Sequence, residues 1–250
     1  MTTSVASQGH SVRKDMTAIR PLLKVSPANS HWRDGLPTLV GTRATLRELE
    51  ATDARRLHAV MSADEVTRFT WPPPPNVNAF QQFITWSHQA RTAGTYICFA
   101  VVPAGECQAC GVVELRQMQP GFFRAELGFA IDPHQWGTGV FSEAAHLALE
   151  FAFRVVKVHR IEARVAVENH RSNAALKKIG AVKEGMLREA FMANGKYAAQ
   201  NLWAILSSSY DKSASQKSRP ALATAEVCNE MSSAKRKPRS GRSRLRGRAG

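Results

Sequence analysis

The chain has 250 residues, 44% hydrophobic and 22% charged, a balance that suits a globular protein with one good core. No apolar run approaches the ~20 residues needed to cross a bilayer, and no apolar stretch at the N-terminus reads as a secretory signal. These features exclude a helical membrane protein and point to a cytoplasmic location. The net charge is +14, of which residues 211–250 carry +8.

Residues 1–36 show no sustained period and include Pro21 and Pro27, so a disordered leader is expected there. From Leu39 the pattern tightens. Thr42 to Leu49 reads as a strand, and Asp53 as the cap of a helix running through Met61. Trp71-Pro-Pro-Pro-Pro75 breaks regular structure, because consecutive prolines lack N–H donors. Asn78 then begins a helix to about Thr92. Tyr96 to Val102, Gly111 to Arg116 and Arg124 to Ile131 are short runs bounded by Gly and Pro, expected as an antiparallel meander. Cys107 and Cys110 have metal or redox spacing. The chain holds four cysteines and no second such pair, so a hairpin is the expected reading and no metal site is assigned.

A helix from Phe141 to Arg154 follows, with Ala144, Ala145, Ala148, Phe151 and Ala152 at helical spacing. Arg160 to Val167 is a strand, and Ser172 to Ile179 a short helix ended by Gly180. Val182 to Glu189 and Asn201 to Ser207 close the pattern as strands. The β-α-β in the middle allows one parallel pair; the short loops elsewhere suit antiparallel pairing. The expected fold is a single α+β domain over 37–210, a mixed and mostly antiparallel seven-stranded sheet flanked by about four helices. Residues 211–250 are expected to be a basic disordered tail, dense in arginine over 235–248. That stretch either contacts nucleic acid or the ribosome through phosphate attraction or is a solvated tail without a defined role.

Trp136-Gly137-Thr138-Gly139-Val140-Phe141 lies between the strand ending at Ile131 and the helix from Phe141. Two glycines there permit a sharp turn, and the helix start offers unpaired N–H groups and a positive dipole end. Strand, glycine turn and helix start together form an anion cradle.

The run AELGFAIDPHQWGTGVFSEAA over 125–145 resembles the core of the GNAT N-acetyltransferases, in particular the branch of the ribosomal-protein N-terminal (alanine/serine) acetyltransferases. Asn169-His-Arg-Ser172-Asn173, Lys178-Ile-Gly180-Ala181 and Glu184-Gly185 resemble that branch's second motif. The resemblance covers 37–210 and implies an acetyl-CoA-dependent transfer of an acetyl group to a primary amine. The acceptor would be a protein N-terminal α-amine or a small-molecule amine, attacked directly in a ternary complex. It implies that Trp136, Gly137, Thr138, Gly139, Val140, Phe141 and Ser142 hold the pyrophosphate through backbone N–H groups, and that Phe129, Ala130 and Ile131 bind pantetheine and polarise the thioester.

By the same resemblance Asn169 contacts pantetheine amides and Ser172 protonates the departing thiolate, while an Asx turn and a helix N-cap are the alternative readings of the two residues. Glu126 is the candidate general base. Alternation puts it with Gly128 and Ala130 on the face opposite Leu127 and Phe129, where partial burial would strengthen it as a base. An ordinary ion pair with Arg124 or Arg164 is the alternative. Four positions depart from the family pattern: Phe141 replaces a small residue in the loop, Ala181 replaces Phe, Ala199 stands where relatives carry Asp, and Leu176 stands where many use a Tyr acid. The other readings are a nucleic-acid or ribosome-associated protein acting through its tail and a catalytically silent acyl-CoA sensor. The oligomeric state, monomer or homodimer, is not legible.

Overall fold

The computed structural model describes residues 31–70, 72–193 and 195–210. The expectations for residues 1–30 and 211–250, and for Trp71, lie outside the described residues. Trp32, ahead of the expected domain start at residue 37, is buried and meets Phe122 edge-on at 5.7 Å. An aromatic ring covering the end of the sheet extends the core into what composition had marked as leader.

The elements are β1 (Leu39–Val40), β2 (Ala44–Glu48), α1 (Ala54–Met61), α2 (Asp64–Thr67), α3 (Val77–Thr92), β3 (Tyr96–Pro103), β4 (Gly111–Gln117) and β5 (Arg124–Ile131). They continue with α4 (Val140–Phe151), β6 (Arg160–Ala166), α5 (His170–Lys178), β7 (Val182–Ala193) and β8 (Lys196–Leu206). The sheet has eight strands in the order β1-β2-β3-β4-β5-β6-β8-β7. The expected seven omitted the two-residue β1, too short to show a period, which pairs antiparallel with β2. The short helix α2 was also missed; β7 continues past its expected end at Glu189 to Ala193, and β8 begins at Lys196, ahead of its expected start at Asn201.

Among the described residues only β5 and β6 pair in parallel, joined by α4 as the middle β-α-β pattern requires. Their register runs for three pairs, Arg124 with Arg160 to Glu126 with Glu162, and then stops. Beyond Glu126 the β6 side of β5 has no strand partner among the described residues. That gap is the structural origin of the cleft.

Two apolar layers flank the sheet. On one face Leu127, Ile131, Ile161, Ala163 and Val165 pack with Ala144, Ala148 and Phe151 of α4 and Leu176 of α5. On the other, Tyr96, Cys98, Ala100, Val112 and Ala130 pack with Leu57 of α1 and Phe80 and Ile84 of α3. Alternation along β5 therefore sorts its side chains as the sequence dictates: Ala125, Leu127 and Ile131 point to α4, Ala130 to α1 and α3.

Several caps differ from expectation. Asn76, not Asn78, caps α3, accepting from the Ala79 N–H at 2.9 Å. Asp53 makes no cap bond to α1. It is buried, accepts from the Glu50 N–H at 2.8 Å, and takes both arms of Arg47 at 2.7 Å. The helix expected to begin at Ser172 begins at His170, and Asn169 caps it.

Candidate functional site

A cleft of about 830 Å³ opens where β5 and β6 part. Phe129, Ala130 and Ile131 form one wall, Trp136, Gly137, Gly139, Phe141 and Ser142 one end, and Asn169 and Ser172 the facing wall. Glu65, Arg68, Phe69 and Thr70 approach from the α2 side. Of the residues singled out from sequence, Glu126, Thr138 and Val140 do not line it.

The glycine turn takes the shape its sequence demands. Gly137 and Gly139 have φ of 82° and 92°, the left-handed region closed to most side chains. Gly139 stands at the cap position of α4. The N–H groups of Gly137, Gly139, Phe141 and Ser142 have no hydrogen-bond partner among the described residues. Val140, which is buried, directs its N–H to Thr138 Oγ1 at 3.4 Å. A row of free N–H groups at a helix start is an anion site made of backbone alone.

A brace behind this turn was not legible in the sequence. Glu143, in the first turn of α4, is buried. Its carboxylate accepts from Thr42 N–H and Oγ1–H at 2.9 Å each, from Ala44 N–H at 2.8 Å, and from Arg43 N–H. Gly41 leaves room for it, since a Cβ there would lie 2.5 Å from the Glu143 carboxyl carbon. The β1–β2 turn so held directs Arg43 Nη1 onto the Thr138 carbonyl at 3.0 Å. Glu143 thus does more than complement the helix dipole. It fastens the turn to a strand about one hundred residues away in sequence.

Phe141 lies over Phe129, with ring centroids 4.3 Å apart. The bulky residue therefore turns towards β5 and packs on the edge of the core while its N–H stays free. Trp136 Nε1 donates to the Ile131 carbonyl at 2.9 Å, and the Arg171 guanidinium sits 4.2 Å from the Trp136 ring centre. This cation–π contact joins the two walls of the cleft.

Asn169 Oδ1 accepts from the Ser172 N–H at 3.0 Å. Asn169 is therefore the cap of α5, and Ser172 is not. The cap uses only the Asn169 carbonyl oxygen. The Ser172 hydroxyl makes no hydrogen bond among the described residues, although it faces the cleft.

Glu126 is held by Arg116 and stands 3.7 Å from Arg164. Next to it, Glu162 is buried between Arg124 at 2.6 Å and Arg160 at 2.7 Å, and Arg160 also reaches Glu184. Burial works against the Glu162 carboxylate, but the two guanidinium groups outweigh it and hold its pKa below the ordinary value. Glu114 differs. It accepts from the Tyr96 hydroxyl, has no salt-bridge partner among the described residues, and burial pushes its pKa up.

Cys107 and Cys110 lie in the β3–β4 hairpin connection, as expected. Cys107 is exposed, while burial pushes the Cys110 thiol up to about 12. The segment 191–197 forms the end of the long β7–β8 hairpin; Asn194 lies outside the described residues.

A family model described as the acetyltransferase (GNAT) domain matches residues 43–182. The uncharacterized N-acetyltransferase p20 of Bacillus licheniformis is 28% identical over 176 residues, spanning 70% of this chain and 99% of that protein. The spermidine N(1)-acetyltransferase of Escherichia coli (strain K12) is 30% identical over 152 residues, spanning 61% of this chain and 80% of that protein. The crystal structure of a GNAT-family acetyltransferase from Bacillus anthracis superposes with a TM-score of 0.62 at 23% identity, covering 69% of this chain and 99% of that one. That likeness speaks to the fold.

Proposed function

We propose that this chain, which belongs to the GNAT acetyltransferase family and is an N-acetyltransferase, takes its acetyl group from acetyl-CoA and passes it directly to a primary amine. The observation that carries the reading is the continuity of the cleft. It runs from the free N–H groups of Gly137, Gly139, Phe141 and Ser142, a pyrophosphate cradle, to the unpaired edge of β5 at Phe129–Ile131.

Acetyl-CoA supplies the activated thioester. The turn holds its phosphates by backbone dipoles, so no lysine is required. Backbone N–H groups of β5 polarise the thioester carbonyl; one well-aimed donor is worth about 3 kcal/mol. The Asn169 amide nitrogen, not used in the cap, serves the pantetheine arm. The Ser172 hydroxyl gives a proton to the departing sulfur. Removal of a proton from the ammonium falls to a carboxylate on the α1–α3 face of the sheet. Placing amine and thioester side by side supplies much of the rate.

The acceptor is a protein N-terminal α-amine or a small amine such as a polyamine. The family branch argues for the first and the spermidine-acetylating relative for the second. Thiol release from acetyl-CoA, measured across Ala- and Ser-terminated peptides and spermidine, separates them. No thermal shift with acetyl-CoA and no thiol release with any acceptor would overturn the reading. The basic segment 211–250 is proposed to add a phosphate-directed contact to RNA or the ribosome. Trimming at residue 212 should abolish polyanion binding at low salt and leave turnover intact.

A further inference from the structure

Gly128 lies beside Glu114, and neither of them lines the cleft, which begins at the adjoining Phe129 and Ala130. Gly128 lies in β5 between Glu126 and the cleft residues Phe129 and Ala130, and its register partner in β4 is Glu114. A Cβ at Gly128 would lie 2.4 Å from Glu114 Oε1 and 2.8 Å from Glu114 Cγ. The Glu114 carboxylate therefore occupies the space that a side chain at 128 would fill. Alternation puts both on the sheet face that carries Ala130, which itself lines the cleft; two residues along a strand span ~7 Å.

Glu126 and Glu114, both on this face, have different surroundings. Glu126 is paired with Arg116 on β4 and stands 3.7 Å from Arg164 on β6. Glu114 is faced by the Tyr96 hydroxyl and the buried Cys98 thiol of β3, with Arg116 and Glu126 as its nearest charges. Of the charged groups on the helices packed over this face, Arg56 of α1 is taken up by Asp132, His88 of α3 by the Leu49 carbonyl and Arg91 of α3 by Glu48, while Arg55 and His58 of α1 are the others. The rings of Phe83 and Trp86 on α3 cover Tyr96.

From this arrangement we infer that Glu114, seated in the gap left by Gly128, is the catalytic base of the acetyl transfer, and that Glu126 is a structural member of an arginine-linked strut. This rests on the acetyltransferase reading above. In the step, the acceptor ammonium gives one proton to the Glu114 carboxylate, directly or through a water. The nitrogen lone pair forms the C–N bond at the thioester carbon. The C–S bond breaks with its electron pair on sulfur, the second amine proton passes through the Ser172 hydroxyl to that sulfur, and Glu114 returns its proton to solvent. Burial raises the Glu114 pKa against the lowering action of the Tyr96 hydrogen bond and Arg116, which makes the carboxylate a stronger acceptor for the ammonium proton.

The test is thiol release from acetyl-CoA with spermidine and with an Ala-terminated peptide, in the full-length protein, as a function of pH. Glu114→Gln should lower kcat ~100-fold and remove the acidic limb of the kcat profile, with the KM for acetyl-CoA unchanged. Glu126→Gln should lower kcat less than ~10-fold and keep the limb, while losing thermal stability. Tyr96→Phe removes a bond that favours the ionised carboxylate, so the limb should move to higher pH; a merely structural Glu114 would leave it in place. Gly128→Ala, which pushes a methyl group into the carboxylate, should lower kcat while the acetyl-CoA thermal shift persists. A Glu114→Gln enzyme as fast as wild type, an unmoved limb in Tyr96→Phe, or loss of the limb only in Glu126→Gln would overturn the assignment and leave the transferase reading standing. Absence of acetyl-CoA binding and of thiol release in the wild type would overturn both.

Discussion

On the α4 face, around the opening between β5 and β6, the molecule offers backbone: free N–H groups of a glycine turn and an unpaired strand edge. On the α1–α3 face it offers side chains, most of them already paired. There Arg116, Glu126 and Arg164 form one group and Arg124, Glu162, Arg160 and Glu184 another. The difference suits the ligands that the proposed reaction would bring to each. A phosphate chain common to every turnover is held by dipoles that cost no reorganisation, whereas an ammonium acceptor needs a group that can change its charge. A surface crowded with arginine–carboxylate pairs leaves few such groups, which is why the unpaired Glu114 stands out.

The largest effect is expected where the backbone cradle is braced. Glu143→Ala strips the partners from the N–H groups of Thr42, Arg43 and Ala44 and should cost about 4 kcal/mol in urea unfolding, because buried donors are left unsatisfied. A change below 1 kcal/mol would mean that water replaces the carboxylate freely and that the brace is dispensable.

Next comes the turn itself. Gly139→Val forces a side chain at φ 92°, 3.2 Å from Arg43 Cδ, and should weaken acetyl-CoA binding about 100-fold by calorimetry, equivalent to about 2.7 kcal/mol. Unaltered affinity would show that the phosphates do not rest on this turn.

The opposite face is probed by acid. The Glu162 pKa lies below its ordinary 4.5, so the stabilisation it gives is complete above pH 4.5 and is lost as pH falls through the depressed folded value. Wild type should therefore lose stability on going from pH 5 towards pH 3. Glu162→Gln should be weaker at pH 7 and show a shallower fall over that window. Parallel curves would remove Glu162 from the acid response.

The smallest effect is expected at the facing wall. Asn169→Ala removes the cap of α5 and should cost about 1 kcal/mol of stability, whereas Asn169→Asp should retain most of it. If Asn169→Asp keeps stability and still loses acetyl-CoA affinity, the amide nitrogen contacts the ligand.

Much of the architecture was written in local pattern. The glycine turn, the parallel β5–α4–β6 unit and the alternation that puts Leu127 towards α4 and Ala130 towards α3 all follow from spacing. The caps were less legible: Ser, Asn and Asp all suit a cap, and only backbone geometry chose Asn76 over Asn78 and Asn169 over Ser172. Trp32 was missed because a single aromatic residue carries no period, and β1 because two residues carry none either.

The sequence by itself determined the order of elements, the glycine turn at the start of α4 and the family, since each rests on residues adjacent or regularly spaced along the chain. Only the tertiary structure decided which carboxylates stay available. It placed Arg116 and Arg164 on Glu126, set Glu114 in the space Gly128 leaves open, and fastened Glu143 to the turn at Thr42–Ala44. Each of these is a contact between strands or turns distant in sequence, fixed by sheet register and the parting of β5 from β6, and no one-dimensional spacing encodes it.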